Sequence, residues 1–317
     1  MKCKWIGSSL LAVTLALAAN PAAAEWPNDK PIKFIIPYSP GGGFDTIVRA
    51  FAPAMEKILG AQVVPENIPG AGGTKGAATV ARAAPDGYTI GIYNMPGFTV
   101  SAMTGKKLGF ELDKVTWLAN LATESYGIAV KGDSSIKSFK DLCEQGRPAK
   151  LSDTGADSTS SIVAKITFKL IDCPLVNVTG YKGSKGAMIA VMRGEVDATL
   201  KPVSSLGKYV ESGDLRMIVT YTDKAVLDGV EATGESGKDQ MAQFNLRRLI
   251  AAPAGLPADI RKRLSDALVE AANSPEVKEW AAKAGVSLDP VDSEGATKMV
   301  AGIDKLYGDY KDLVAAK

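Results

Sequence analysis

Apolar and polar positions along the chain fall into a repeating order of short apolar run, glycine- or proline-rich loop, and amphipathic helix. Lys33-Phe34-Ile35-Ile36 is a compact buried run ended by Pro37, which cannot donate to a sheet ladder. Pro40 and Gly41-Gly42-Gly43 form a tight turn, after which Ile47, Val48, Phe51, Met55, Ile58 and Leu59 recur at helical spacing. Asp45 is placed to cap that helix and Gly60 to end it. The cycle then repeats. Ala61 to Val64 is a short strand, Pro65 to Gly73 a second glycine-rich loop, and Thr74 to Ala83 a small-residue helix. After the turn Pro85-Asp86-Gly87, Tyr88 to Tyr93 is an apolar strand running into Asn94-Met95-Pro96-Gly97. This alternation predicts an α/β domain with a parallel sheet.

A second unit of the same kind starts with a strand at Tyr126 to Val130 and the polar joint Lys131 to Ser135. Ser138 caps a helix over Phe139 to Gln145, and Leu151-Ser152 leads into the hydroxyl-rich run Asp153 to Ser161. Behind that run Ile162, Ile166, Phe168 and Leu170 mark a helix. Strands follow at Val176 to Tyr181, Val196 to Leu200 and Leu215 to Tyr221, with a helix from Ser184 to Gly194 after the first. Phe244 to Ala252 reads as a strand returning to the first unit. Helices at Ala258 to Ala272, Pro275 to Ala284 (Ser274 as cap, Gly285 as stop) and Glu294 to Val314 are predicted to pack there.

Two stretches carry chemistry. A glycine-rich turn before a helix leaves main-chain N–H groups uncovered, and the helix dipole adds to their pull on an anion. Gly41-Gly42-Gly43 is such a turn, and Thr154 to Ser160 repeats the logic with hydroxyls as adjustable donors. Nucleotide readings fail: the third glycine of a dinucleotide fingerprint falls at Thr46, and no Gly-Lys-Ser/Thr triplet occurs. In parallel sheets ligands sit outside the carboxyl ends of the strands, so these loops are expected to share one cleft. For the Glu66 to Gly73 loop, ordinary turn chemistry stands equally beside that reading.

The start of the chain has the form of an export signal: Lys2 and Lys4, an apolar run from Trp5 to Ala19, and Ala22-Ala23-Ala24 as a cleavage site. The run is short of the ~20 residues that a spanning helix needs. Residues 1–24 are therefore expected to be removed, leaving Glu25 first and a periplasmic protein. The formal charge of +2 falls to zero with the loss of those two lysines, which argues against nucleic acid as a partner. The chain has no histidine. That excludes Ser-His-Asp and Cys-His nucleophiles and every histidine-based zinc site, and neither a metal nor a cofactor is expected. Cys143 and Cys173 remain after export; in an oxidising compartment they are expected to pair, the alternative being two buried thiols that never meet.

Pro37-Tyr38-Ser39-Pro40-Gly41-Gly42-Gly43-Phe44-Asp45 with Arg49 resembles the P-[FY]-x-P-G-G-x-x-D-x-x-x-R signature of the Bug/TctC family, the periplasmic solute-binding proteins of tripartite tricarboxylate transporters. Glu66-Asn67-Ile68-Pro69-Gly70-Ala71-Gly72-Gly73, Pro85-Asp86-Gly87-Tyr88-Thr89, Gly180-Tyr181-Lys182-Gly183-Ser184, Gly194-Glu195-Val196-Asp197 and Ala252-Pro253-Ala254-Gly255-Leu256-Pro257 follow in the family's order. The resemblance implies an α/β, two-domain type II periplasmic binding fold, a Venus flytrap with the ligand cleft between domains. Residues 25–126 plus 245–317 are expected to form domain 1 and 127–244 domain 2. Ligand contacts are expected from Tyr38, Ser39, Pro40, Gly41, Gly42, Gly43, Asp45 and Asn94 on one side. Thr154, Gly155, Asp157, Ser158, Thr159, Ser160, Tyr181, Asp197 and Ser204 are expected on the other.

The implied ligand is a small carboxylate, a C4 to C6 di- or tricarboxylate or related organic acid, handed by a monomer to TctA/TctB-type membrane subunits. Where the family has G-x-G-S-x-x-H, this chain has Gly155 to Ser161, with Asp157 for a glycine and Ser161 for the histidine. Asp157 either selects an amino or hydroxyl substituent or serves only as a helix cap. Two other readings stand: a binding protein for a sensor kinase, and an α/β hydrolase. The hydrolase would need Ser39 or Ser158 as nucleophile with Lys182 or Lys185 as base, and no S-x-x-K arrangement supports it.

Overall fold

The computed structural model describes residues 26–156 and 158–315; residues 1–24, expected to be an export signal, and Asp157 lie outside the described residues. The first part of the chain runs β1 (Ile32–Ile36), α1 (Gly43–Leu59), β2 (Val63–Asn67), a 3-10 turn at Ala71–Gly73, α2 (Thr74–Ala81), β3 (Thr89–Met95), α3 (Gly97–Met103) and β4 (Thr116–Lys131). Next come α4 (Phe139–Cys143), β5 (Ala149–Ser152), α5 (Thr159–Leu170), β6 (Leu175–Val178), α6 (Gly183–Met192) and β7 (Ala198–Pro202). The second part ends with α7 (Val203–Glu211), β8 (Leu215–Thr220), β9 (Glu231–Ala232) and α8 (Asp239–Ala242). The chain returns through β10 (Asn245–Ala252), α9 (Ala258–Asn273), α10 (Pro275–Ala284), β11 (Leu288–Val291), α11 (Ser293–Gly308) and α12 (Lys311–Ala315).

One strand organises both halves. The sheet order is β2-β1-β3-β10-β4-β7-β5-β6, with β11 and β8 also on β4. Up to Ser125, β4 pairs with β10 and β11; from Tyr126 onward it pairs with β7 and β8. The passage between lobes at this point is therefore the middle of a sixteen-residue, largely buried strand rather than a loop. The sheet is mixed, not parallel throughout: β1 runs parallel to β2 and β3, but β10 re-enters antiparallel to β3 and β4. β4 leaves the first lobe toward the second and β10 comes back along it, so the two run in opposite directions.

Packing follows the helical stripes. Ile47, Val48, Phe51 and Met55 of α1 bury against β1, β3 and the α9 residues Leu264 and Leu268. Gly60 ends α1 in the left-handed region at φ 70°, its N–H donating to the Glu56 carbonyl. Asp45 does not cap α1; Gly42 occupies that position and Asp45 sits in the first turn. The last helix is also not continuous. It stops at Gly308, and α12 lies against α3 and α5, so the C-terminal segment touches both lobes. Cys143 and Cys173 are joined by a disulfide with Cα atoms 5.1 Å apart, tying α4 to the turn before β6.

Candidate functional site

The carboxyl ends of β1, β3 and β5 open on one cleft of about 350 Å³. Tyr38, Ala71, Gly72, Asn94, Gly97, Phe98, Ser101 and Lys106 line it from the first lobe, and Thr154, Gly155, Ala156, Ser158 and Thr159 from the second. A second concavity of about 380 Å³ lies between α5 and β6 beside Cys173, but one lobe alone forms it.

The first-lobe wall is set by Tyr38 and Asn94. The Tyr38 ring stacks on Phe44 at 4.6 Å between centroids, which carries the glycine turn's position into the cleft. Tyr38 Oη and Asn94 Oδ1 are buried and have no hydrogen-bond partner among the described residues. Burial pushes the Tyr38 phenol up to about 12, against the smaller opposing pull of the Asn94 amide and Arg248. At neutral pH Tyr38 therefore keeps its proton and can donate it. Gly73 has to be glycine for two reasons. Its φ is +97°, and a Cβ there would lie 2.8 Å from Tyr38 Oη. Gly97, the first residue of α3, lies close against the second lobe: a Cβ there would meet Thr159 Oγ1 at 2.8 Å.

The second-lobe wall is the turn from β5 into α5. Ser158 caps α5, its hydroxyl accepting the Ser161 N–H at 3.2 Å. The N–H groups of Thr159 and Ser160, in the first turn, have no acceptor within the helix. The hydroxyls behave differently from the sequence expectation. Those of Ser158 and Ser160 donate to the buried Asp153 carboxylate at 2.5 and 2.6 Å, and the Thr154 N–H joins them at 2.6 Å. Ser160 thus points inward and is absent from the cleft lining, while Thr154, Gly155, Ser158 and Thr159 remain there. Lys201 completes this hub, 3.0 Å from Asp153. Its burial pulls the ammonium pKa down, and Asp153 opposes that pull.

Several expected contacts lie elsewhere. Ser39, Pro40, Gly41, Gly42 and Gly43 form an exposed turn beside the cleft and do not line it. The Gly41 N–H donates to Asp45 at 2.9 Å, and the Asp45 carboxylate also accepts from Arg49 and Asn67, so this buried acid organises the turn from behind. Gly43 gives its carbonyl to Arg248, whose guanidinium would be crowded at 3.0 Å by a Cβ on that glycine. Arg248 pairs with Glu124 at 2.6 Å, and Glu124 accepts from Ser204 at 2.9 Å. Ser204 therefore belongs to an inter-lobe strap and not to the cleft wall.

Asp197 is at the wrong end of its strand. It precedes β7, where both carboxylate oxygens accept from Arg147 at 2.7 Å and one also accepts from the Lys150 N–H. The Tyr181 hydroxyl turns to Glu195 at 3.3 Å and does not line the cleft. Asp157 lies outside the described residues.

Ala71, Gly72, Gly97 and Ala156 lie in loops that the sequence reading weighed as facing the cleft but did not name as contacts, and Phe98, Ser101 and Lys106 lie outside those loops. Gly72, at φ +67°, was legible as a turn glycine and Gly97 as part of the loop that follows β3. Ser101 and Lys106 carried no local signal. No group of three or more His, Cys, Asp or Glu side chains that could hold a metal occurs among the described residues.

Comparison with known proteins accords with this geometry. The profile of the tripartite tricarboxylate transporter family receptor (TctC) matches residues 47–307. A UPF0065 protein encoded in a gbd 5′ region of Cupriavidus necator is 31% identical over 288 residues, spanning 87% of this chain and 86% of that one. Among solved structures, a periplasmic transporter superposes with a TM-score of 0.77 at 27% identity, covering 91% of this chain and 97% of its own. MatC of Rhodopseudomonas palustris with bound malate gives 0.76 at 22% identity, covering 90% and 99%. These neighbours share the two-domain fold, and the family consists of solute-binding proteins of the periplasm, not enzymes. The chain belongs to the TctC receptor family of tripartite tricarboxylate transporters.

Proposed function

We propose that the protein captures a small organic acid, a C4 to C6 di- or tricarboxylate, between its two lobes. It then presents the acid, as a periplasmic monomer exported through residues 1–24, to TctA/TctB-type membrane subunits. The lobes that close are residues 25–126 with 245–317 and residues 127–244. One observation carries the reading: the cleft is lined by donors. Its lining brings together the neutral phenol of Tyr38 from the first lobe and the first turn of α5 from the second. An anion set against those N–H groups gains charge-assisted hydrogen bonds and a favourable helix dipole, and neither needs a net positive protein. The bound malate of MatC, a protein of the same fold, supports the same ligand class.

Neither wall encloses an anion by itself, so contacts made only in the shut state drive closure. Calorimetry and thermal shift against malate, citrate and adipate, with galactose and choline as controls, test the reading. A carboxylate is expected to bind and raise the melting temperature. Silence from all three acids alongside binding of the sugar or the cation overturns it.

A further inference from the structure

Asp153 and Lys201 are almost completely buried, at 2% and 1% exposure, and neither lines the cleft. Removing two charges from water commonly offsets their mutual attraction, so a buried ion pair is a weak device for stability alone. Its position is informative. Asp153 follows β5 directly and gathers the Thr154 N–H and the Ser158 and Ser160 hydroxyls around one carboxylate. A carboxylate accepts several donors at once, whereas a neutral amide brings its own N–H groups that need acceptors. The three donors tie down the β5–α5 turn at its start, its cap and its first helical turn. The Ser158 and Ser160 hydroxyls are thereby turned away from a ligand, while Thr154, Gly155, Ala156, Ser158 and Thr159 line the cleft. The arrangement has a cost, because a carboxylate just behind an anion site repels the ligand in a medium of low dielectric. Lys201, 3.0 Å from both Asp153 Oδ2 and Ser160 Oγ, cancels that charge from the neighbouring strand β7.

We propose that Asp153 and Lys201 are a positioning pair for carboxylate binding: Asp153 sets the β5–α5 turn, and Lys201 neutralises Asp153 so that the turn accepts an anion. The charge half of this inference rests on the carboxylate reading above; the positioning half does not. Hydrogen exchange of ligand-free protein tests positioning. Asp153→Asn is expected to speed exchange across residues 154–161 by roughly tenfold relative to wild type, and unchanged exchange there overturns it.

Calorimetry with malate tests the charge. Lys201→Gln keeps a donor for Ser160 but exposes the ligand to Asp153, and affinity is expected to fall by roughly tenfold or more. Asp153→Asn/Lys201→Gln removes both charges and is expected to bind more tightly than Lys201→Gln, short of wild type by what the loosened turn costs. A pair with only a packing role gives a double variant no better than the weaker single. Wild-type affinity in Lys201→Gln, or a double variant as weak as Lys201→Gln, overturns the charge role. If Lys201→Gln does not fold, the double variant is compared with Asp153→Asn, which has the same loosened turn: roughly tenfold weaker binding on loss of the Lys201 charge is expected, and equal binding overturns the charge role. Should wild type bind none of the acids, the functional reading fails, and exchange still judges the positioning.

Discussion

Gly97→Ala probes whether the close approach of the two lobes is part of the bound state. The added Cβ would lie 2.8 Å from Thr159 Oγ1, 2.9 Å from Asn94 Nδ2 and 3.0 Å from Asn94 Cγ. Comfortable contact needs about 3.5 Å, so the cross-cleft shortfall is about 0.7 Å. Of the two other Thr159 rotamers one puts the methyl in that space, and χ1 is restricted in a β-branched helical residue, so relief falls mainly to the lip of the second lobe standing back. Moving one wall by ~0.6 Å stretches a hydrogen bond of ~2.9 Å to the limit at which it stops counting.

A bond to a charged acceptor contributes about 1.5–3 kcal/mol. Losing one therefore weakens carboxylate binding by roughly ten- to a hundredfold. The backbone itself tolerates alanine, since Gly97 is not in the left-handed region. At such a position alanine stabilises by about 0.4–1 kcal/mol through the unfolded chain. The 2.9 Å approach to Asn94 Nδ2 within the first lobe offsets that gain, so calorimetry with malate and a thermal melt of ligand-free protein should diverge: weaker binding with a melting temperature little changed. Affinity within twofold of wild type would refute the claim that these lips meet around the ligand.

Other perturbations test the scaffold. Breaking the Cys143–Cys173 bond, which spans a sequence separation of 30, should cost about 3.6 kcal/mol on chain-entropy grounds; a urea melt of the double Cys→Ser variant checks it, and no change would sink it. Glu124→Leu leaves the Arg248 guanidinium, 4% exposed, without its counter-ion, and unfolding experiments should show a loss of about 3–5 kcal/mol. At Asp45 and Asp197 burial raises the carboxyl pKa, but hydrogen bonds and an adjacent guanidinium outweigh it and leave both below the ordinary value. Their stabilisation is complete above the unfolded pKa near 4 and is lost as pH falls through the folded values. Acid titration of stability should therefore steepen below about pH 4, and Asp197→Asn should flatten that fall while lowering stability at neutral pH.

Local patterns in the chain determined the element types. The stripe Ile47-Val48-Phe51-Met55 needs a helix to bury it, Gly60 and Gly285 stop helices because they adopt positive φ cheaply, and Ser138, Ser158 and Ser274 cap because their hydroxyls reach the next turn. The absence of histidine narrowed the chemistry before any fold was known, and the spaced motifs pointed to the family. Side-chain direction was not available at that level. The hydroxyl run Thr154 to Ser160 read as ligand donors, yet Asp153 turns two of its serines inward, and the partner that makes this tolerable is Lys201, 48 residues further on a neighbouring strand. Asp197 sat in a recognisable motif, but strand polarity places it at the end of β7 away from the cleft, against Arg147. Periodicity depends on neighbours three or four residues away, so sequence alone determined the helices, strands and turns. Which polar atoms face the cleft depends on strand order, polarity and partners far along the chain, and only the tertiary structure decided that.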